Sequence, residues 1–191
     1  MKKVEIIFGL LVVIALVLNI FLITTGTMFT ILLLGLLSTF YMYLSFALFN
    51  NIGLRKIFKK ESYEKTSKLR VVGAVLTGFA LAMTLIGILF KVQSWPATVN
   101  LFGGLMGLLI ALIVGLVKYQ KSKSDYYINI FKRIAIYGGF GLIFYILPDG
   151  SWLDLKYRNY PEYIEALNAS SAEPDNQELW DKASEEREKI Q

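Results

Sequence analysis

Few side chains in this sequence are suited to catalytic chemistry, because its 191 residues include no cysteine and no histidine. Their absence removes thiol nucleophiles, imidazole bases, disulfides and the usual zinc and haem ligands together. An intramembrane serine protease would need a base beside its serine, and aspartyl or zinc proteases would need paired acids or metal ligands. The apolar segments of this chain contain none of these groups. We therefore expect no enzyme, and no catalytic, cofactor or metal site.

The most specific short string covers residues 87–97 and reads Gly-Ile-Leu-Phe-Lys-Val-Gln-Ser-Trp-Pro-Ala. A lysine at the end of an apolar helix can extend its ammonium group to the membrane surface, and a tryptophan there suits the interfacial aromatic belt. The proline prevents ordinary helix hydrogen bonding and so favours a turn. We interpret four residues of the string as an interfacial anchor: Phe90, Lys91, Trp95 and Pro96.

This string resembles a pattern in small membrane proteins of gliding Gram-negative bacteria, which include the membrane hairpin of the gliding-motility and type IX secretion motor. In that pattern an apolar helix ends in Phe-Lys-aliphatic, then His, an aromatic residue, Pro and Gly, before a second apolar helix. The resemblance covers about residues 70–119, and the matching positions are Phe90, Lys91, Val92, Trp95 and Pro96. Ser94 replaces the His, Ala97 replaces the Gly, and the second helix lacks the motor's buried Glu. The resemblance implies a bacterial membrane hairpin with this topology and does not imply motor activity.

The motif lies at the end of one of four long apolar segments. These uncharged runs cover residues 6–23, 28–49, 71–90 and 99–117 and hold 18, 22, 20 and 19 residues. Each matches the roughly 20 residues that a helix needs to cross the hydrocarbon core. The two lysines before the first run also fit a signal peptide, but the length of the run and the lack of an A-x-A-like site favour an uncleaved helix.

A fifth apolar run, residues 134–147, has only 14 residues and contains three glycines. An amphipathic stretch with Tyr126 and Tyr127 precedes it, and Trp152 follows it, so that interfacial aromatic residues lengthen the segment. We predict an all-α polytopic transmembrane bundle over residues 1–148, with four spanning helices plus this fifth one. Their expected ranges are about 4–24, 28–50, 71–91, 98–118 and 132–148, with a tight turn at residues 24–27.

The chain divides into two parts by charge. Residues 1–148 carry 15 Lys and Arg against 4 Asp and Glu, whereas residues 149–191 carry 5 against 11. We expect the second part to be an acidic, partly helical soluble tail, with helical stretches at 161–168 and 176–190. The second stretch fits a capping box with Asp175 as the N-cap and Glu178 three residues later.

The basic residues of the membrane part cluster on one side. Fourteen of them precede the first helix, lie in the 51–70 loop or follow the fourth helix, whereas the intervening turns hold Lys91 alone. By the positive-inside rule the N-terminus and both basic loops are cytoplasmic, and a spanning fifth helix puts the tail outside the cytoplasm. We expect a multi-pass protein of the cell (inner) membrane. Nucleic-acid binding is the rival interpretation, but orientation bias already explains the basic loops, so we expect no nucleic-acid partner.

Small residues suggest how the helices pack, because close backbone approach replaces hydrophobic attraction in lipid. The fourth helix repeats them every four residues, at Gly103, Gly107, Ala111 and Gly115. The third helix has a heptad-like series at Gly73, Thr77, Ala80, Thr84 and Gly87. The short turn between these helices favours packing within one chain. A homo-oligomer seam is the alternative.

The positions of charged residues restrict the function further. No ionisable residue lies near the middle of a predicted span, which disfavours ion-coupled transport. Two hypotheses remain: an assembly, accessory or scaffold protein that works through contacts, and a facilitator for lipid or a small solute without ion coupling. An apolar cavity open to lipid would favour the facilitator, and a tail that captures a protein partner would favour the scaffold. We expect the aromatic residues of the tail, including Trp152 and Tyr157, to pack near Lys91 and Trp95 or on a partner.

Overall fold

Four long apolar helices form the body of the protein. In the computed structural model, which describes residues 1–64 and 66–190, they are α1 (Lys2–Ile20), α2 (Thr24–Phe49), α3 (Lys68–Val92) and α4 (Thr98–Ser122). All four are long and apolar enough to cross a membrane. These helices indicate a multi-pass membrane protein and confirm the all-helical fold class predicted from the sequence.

The turn between α1 and α2 lies at residues 21–23, before the predicted position. Leu22 adopts a left-handed backbone conformation (φ 57°), and α2 begins at once because Gly26 lets it approach α1. A Cβ atom on Gly26 would lie 2.6 Å from the backbone nitrogen of Asn19. The amide of Asn19 also donates to Thr27 Oγ1 (2.9 Å). The predicted turn at 24–27 is therefore wrong, since these residues form the first turn of α2.

The helices pack in chain order, α1 on α2, α2 on α3 and α3 on α4. Helix α3 is thus central, and small residues bring it close to both neighbours. On the α2 side, a Cβ atom on Gly78 would lie 2.7 Å from the carbonyl oxygen of Tyr41, and Ser38 Oγ donates to the Ala82 carbonyl (3.0 Å). Two 3₁₀ turns, Leu54–Lys56 and Lys60–Tyr63, connect α2 to α3.

The fifth segment is a continuous helical path in three parts: α5 (Asp125–Arg133), a π-helical turn (Ile134–Gly138) and α6 (Gly139–Ile146). It begins earlier than the predicted residue 132 because the Ser124 hydroxyl accepts a hydrogen bond from the Tyr126 backbone N–H and caps α5. Its 22 residues would cover about 33 Å at 1.5 Å per residue. Glycines serve packing here, since a Cβ atom on Gly141 would overlap Thr84 Cγ2.

The tail folds into three short helices, α7 (Ser151–Lys156), α8 (Pro161–Ala172) and α9 (Gln177–Glu188). Helix α7 contacts α1 and α3, whereas α8 and α9 pack mainly against each other. The predicted capping box does not form, because Asn176 is the N-cap of α9 and makes no side-chain cap hydrogen bond. The Asn176 amide donates to Glu173 Oε2 instead (3.1 Å). We call α8 and α9 the tail hairpin.

Candidate functional site

The predicted interfacial motif forms the turn between α3 and α4. The Trp95 backbone N–H donates to the Phe90 carbonyl (2.8 Å), and the two rings meet edge to face with centroids 5.4 Å apart. Ser94, which takes the place of His in the gliding-bacterium pattern, adopts a left-handed backbone conformation (φ 58°). Pro96 lies just before the N-cap of α4, Ala97. The motif therefore builds a tight, aromatic-braced turn.

Lys91 of the same motif anchors the tail. Its Nζ lies 2.5 Å from Asp149 Oδ1, as expected for an acidic segment beside an isolated positive charge. Two further contacts hold α7 near the same helix ends. Trp152 Nε1 donates to Asn19 Oδ1 (3.1 Å), and Lys156 Nζ donates to Thr27 Oγ1 (3.2 Å). The start of the tail thus docks on its own bundle.

The predicted small-residue stripes lie mostly between helices of one chain. A Cβ atom on Gly107 would lie 2.8 Å from Ala80 Cβ, and one on Gly87 would lie 2.6 Å from Leu101 Cγ. Thr84 is buried at the same interface. Among these glycines, the closest approach to a backbone atom of the facing helix is at Gly104, which is outside the predicted stripes: an added Cβ atom would lie 2.6 Å from the Thr84 backbone nitrogen.

The remaining members of the stripes have other neighbours. Gly115 faces α5, where an added Cβ atom would lie 2.8 Å from Phe131 Cε1. Gly103 lies near Met83, and Gly73 has open space around it. The two stripes are therefore not one continuous seam. A groove on the surface of the bundle lies between the two stripes. Thr77 and Ala111 also line it.

This apolar groove runs between α3, α4 and α5 and has a volume of about 510 Å³. Its middle is lined by Leu76, Phe79, Met83, Ile110 and Val114 together with the glycines of the stripes. It is open along one side, so its walls are lipid-facing if the four helices span a membrane. An acyl chain fits this lining, since the groove contains few polar groups along its length.

Polar groups gather at one end of the apolar groove. Arg70 and Lys118 line it there, and neither has a carboxylate within 4.0 Å among the described residues. The Arg70 guanidinium stacks on the Tyr126 ring, 4.0 Å from its centroid, and the Tyr126 hydroxyl donates to the Arg70 carbonyl (3.1 Å). Arg70 Nε is buried and has no hydrogen-bond partner in the described part of the chain. This end therefore suits an anionic group.

A buried ion pair joins the first helix to the fifth segment. Arg133 Nε donates to Glu5 Oε1 (2.6 Å) and Arg133 Nη2 donates to Glu5 Oε2 (2.5 Å). The Tyr41 hydroxyl of α2 also donates to Glu5 Oε1. Glu5 and Arg133 are 6% and 7% exposed. Because both carboxylate oxygens are engaged, the cluster suits holding helices together rather than proton transfer.

This cluster was not predicted from the sequence, because Arg133 was grouped with the other basic residues that follow the fourth helix. The structure instead gives Arg133 a buried position at the end of α5, over the ring of Phe49 (5.2 Å). A usable signal was present: Glu5 is a single acid in the first turns of an apolar helix, and Arg133 immediately precedes an apolar run. Such charges need partners when they are buried.

A second cavity lies between the tail and the helix ends near Leu22 and Gln93. We call it the tail groove; its volume is about 650 Å³. Its lining is more polar than that of the apolar groove and includes Gln93, Lys156, Tyr157, Tyr163 and Arg187. The Tyr157 and Tyr163 rings meet edge to face, 4.7 Å between centroids. Burial raises the pKa of the Tyr157 hydroxyl, which remains a neutral donor at physiological pH.

No protein-family model matches the sequence, and no curated protein or solved structure gives a significant match.

Proposed function

We propose that this chain is a non-catalytic accessory or scaffold protein of a membrane, which uses the tail hairpin as a contact surface. The observation that carries the proposal is that α7 docks on α1 and α3, whereas α8 and α9 pack mainly on each other. A segment that served only to cover the bundle would lie flat on it.

The surface of the tail hairpin suits a basic or aromatic partner. Its buried seam is small, formed by Tyr163, Ala166, Ser170 and Ala183, so most of both helices faces outward. The exposed acids are Glu162, Glu165, Glu173, Asp175, Glu178, Asp181, Glu185 and Glu188. Trp180 is 37% exposed, and its indole N–H donates to the Pro174 carbonyl (3.0 Å), which stiffens the turn. Aromatic side chains held rigidly at a surface are typical interface anchors.

We also propose the orientation and location of the protein. The N-terminus and basic loops face the cytoplasm of a bacterial cell, the fifth segment spans the inner membrane, and the tail lies outside the cytoplasm. The bias of basic residues supports this orientation, and a helical path of 22 residues supports the fifth span. The resemblance to gliding-bacterium membrane hairpins supports the bacterial source and a shared hairpin topology.

Site-specific photo-crosslinking in native membranes tests the contact role. A photoreactive residue in place of Glu178 should give a discrete protein adduct, whereas one in place of Glu61, in the basic loop, should not give the same adduct. A second probe in place of Trp180 should give the same adduct. Its yield should fall when the hairpin also carries Glu178→Gln, Asp181→Asn and Glu185→Gln, which remove three negative charges. The proposal would be overturned by identical adduct patterns from the probes at Glu178 and Glu61, or by the absence of any adduct from the probe at Glu178.

Lipid handling is the second candidate, and the apolar groove favours it. The groove combines an open apolar side with Arg70 and Lys118 at one end, which matches a phospholipid with an anionic headgroup. In this role the groove holds a lipid beside α3 and α4 without ion coupling. A large residue in the groove tests it: Ala111→Trp should lower the amount of anionic phospholipid that co-purifies. Leu36→Trp is the control, because Leu36 is an exposed residue of α2. Equal lipid retention by both variants would reject this role.

We propose no homo-oligomer through the α3–α4 stripes, since several of their small residues already pack within the chain. Gly107 lies on Ala80 and Gly87 lies on Leu101.

A further inference from the structure

The tail groove has more positive charge than its surroundings neutralise. Lys156 enters it from α7 and Arg187 enters it from the end of α9. Neither cation has a carboxylate within 4.0 Å among the described residues. The two charges also repel each other, and burial together with Arg187 lowers the pKa of the Lys156 ammonium. The acidic residues of the tail hairpin that the structure describes therefore form no ion pair with either cation.

The groove also contains a donor without an acceptor. Gln93 lines it from the C-cap of α3, and its Nε2 is buried with no hydrogen-bond partner in the described part of the chain. A buried amide that donates to nothing costs free energy, and such groups are normally paired. The unpaired donor and the two cations line the same cavity. Lys156 Nζ has a neutral acceptor there, the Thr27 hydroxyl (3.2 Å), but neither cation has an anionic partner among the described residues.

We propose that the tail groove binds a phosphate group carried by a small organic molecule or by a phospholipid headgroup. A phosphate balances two positive charges and offers several acceptor oxygens, which suits Arg187 and Lys156 as charged donors and Gln93 as a neutral donor. The volume of about 650 Å³ exceeds that of a phosphate and falls within the usual range for small-molecule sites. Tyr157 and Tyr163 supply a wall for the attached organic group.

Both sources of the phosphate can reach this cavity. The groove includes Leu22 and Ile23 of the α1–α2 turn, so it lies at the helix ends, where a headgroup would be found if these helices span a membrane. It also opens beside the tail hairpin, where a soluble phosphate ester could enter. This inference does not depend on the contact role proposed for the hairpin.

Binding measurements on the full-length protein in a maltoside detergent, which contains no phosphate, test the proposal. The probes are glycerol 3-phosphate and short-chain phosphatidylglycerol, with glycerol and short-chain diacylglycerol as phosphate-free controls. Saturable binding of glycerol 3-phosphate supports a soluble ester. Binding of phosphatidylglycerol alone supports a headgroup. If neither probe binds more tightly than its phosphate-free control, the proposal is wrong.

Variants locate the binding. Arg187→Gln and Lys156→Gln should each weaken binding of the phosphate probe about tenfold, as expected for loss of one charge-assisted hydrogen bond. Lys182→Gln is the matched control, because it removes an exposed positive charge from the same helix as Arg187 but not from the groove. Arg187 is itself exposed, so its loss should leave the folded state intact. Equal affinities for Arg187→Gln and Lys182→Gln would show that bound phosphate lies elsewhere and would overturn the proposal.

Discussion

Arg133 donates two parallel hydrogen bonds, 2.6 and 2.5 Å long, to the Glu5 carboxylate, although the two residues are 128 positions apart in the sequence. The pair connects the beginning of α1 to the point where α5 changes into the π-helical turn. Tyr41 of α2 adds a third hydrogen bond to the same carboxylate. A rigid guanidinium fork suits this geometry better than an ammonium group would. The Glu5 carboxylate therefore connects three helices, α1, α2 and α5.

Breaking this pair should destabilise the protein strongly. Glu5→Gln leaves the buried Arg133 charge unpaired, and the expected loss is about 3–5 kcal/mol in unfolding free energy. Unfolding in a mild detergent with increasing denaturant measures it. Glu61→Gln, at an exposed loop position, is the control and should change stability little. The double variant Glu5→Leu with Arg133→Met should lose less stability than the sum of its two single variants, and a strictly additive double variant would argue against a specific pair.

Enlarging the α3–α4 contact should separate these helices. Gly107→Leu would place its Cβ atom 2.8 Å from Ala80 Cβ, so the backbones must move apart and lose dispersion contacts. We expect a larger fall in thermal stability than for Leu108→Ala, which only removes buried volume. Gly35→Leu is the matched control, because nothing lies within 4 Å of an added Cβ atom there. Equal melting temperatures for the Gly107 and Gly35 variants would contradict this contact.

Cysteine labelling tests the proposed orientation, and the chain has no native cysteine to interfere. Lys56→Cys lies in the basic loop and Thr25→Cys lies at the start of α2; both positions are exposed. An impermeant thiol reagent applied to intact cells should label the Thr25 variant and spare the Lys56 variant. Both should react after lysis. The reverse pattern in intact cells would invert the topology.

The docking of α7 should protect the start of the tail. Trp152→Ala removes the hydrogen bond to Asn19 and the ring that packs on Phe144 (5.4 Å). Limited proteolysis of the purified protein should then cut near Pro148 several-fold faster. Trp180→Ala, on the tail hairpin, should leave cleavage at that site unchanged. Rapid cleavage there in the unaltered protein would mean that the docked arrangement does not persist.

The ion pair between Lys91 and Asp149 should contribute less to the free energy of unfolding than its short N–O distance suggests. The Asp149 side chain is 87% exposed, and exposed pairs are worth roughly 0–1 kcal/mol. Asp149→Asn should therefore lower stability only slightly, and the difference should shrink as salt is added. A loss comparable to that of Glu5→Gln would show that the carboxylate is shielded from solvent.

The sequence alone determined the main elements of this protein. Four uncharged runs of about 20 residues predict the four long helices, because a backbone in hydrocarbon must satisfy its own hydrogen bonds. The same reading placed the short turn after Lys91 and the pairing of α3 with α4. The sequence also predicted that the tail would pack near Lys91 and Trp95 or on a partner, and the contact of Asp149 with Lys91 agrees with the first alternative.

Only the tertiary structure decided which side chains meet. Nothing in the local pattern of Glu5 or Arg133 shows that they pair, because the contact depends on how α1, α2 and the fifth segment pack together. Gly104 rather than Gly103 makes the close contact with the α3 backbone. Adjacent helix residues point about 100° apart, and only the packed helices show which of the two faces α3. Both grooves also depend on how separate helices converge. The apolar groove brings together Arg70 and Lys118, and the tail groove brings together Lys156 and Arg187.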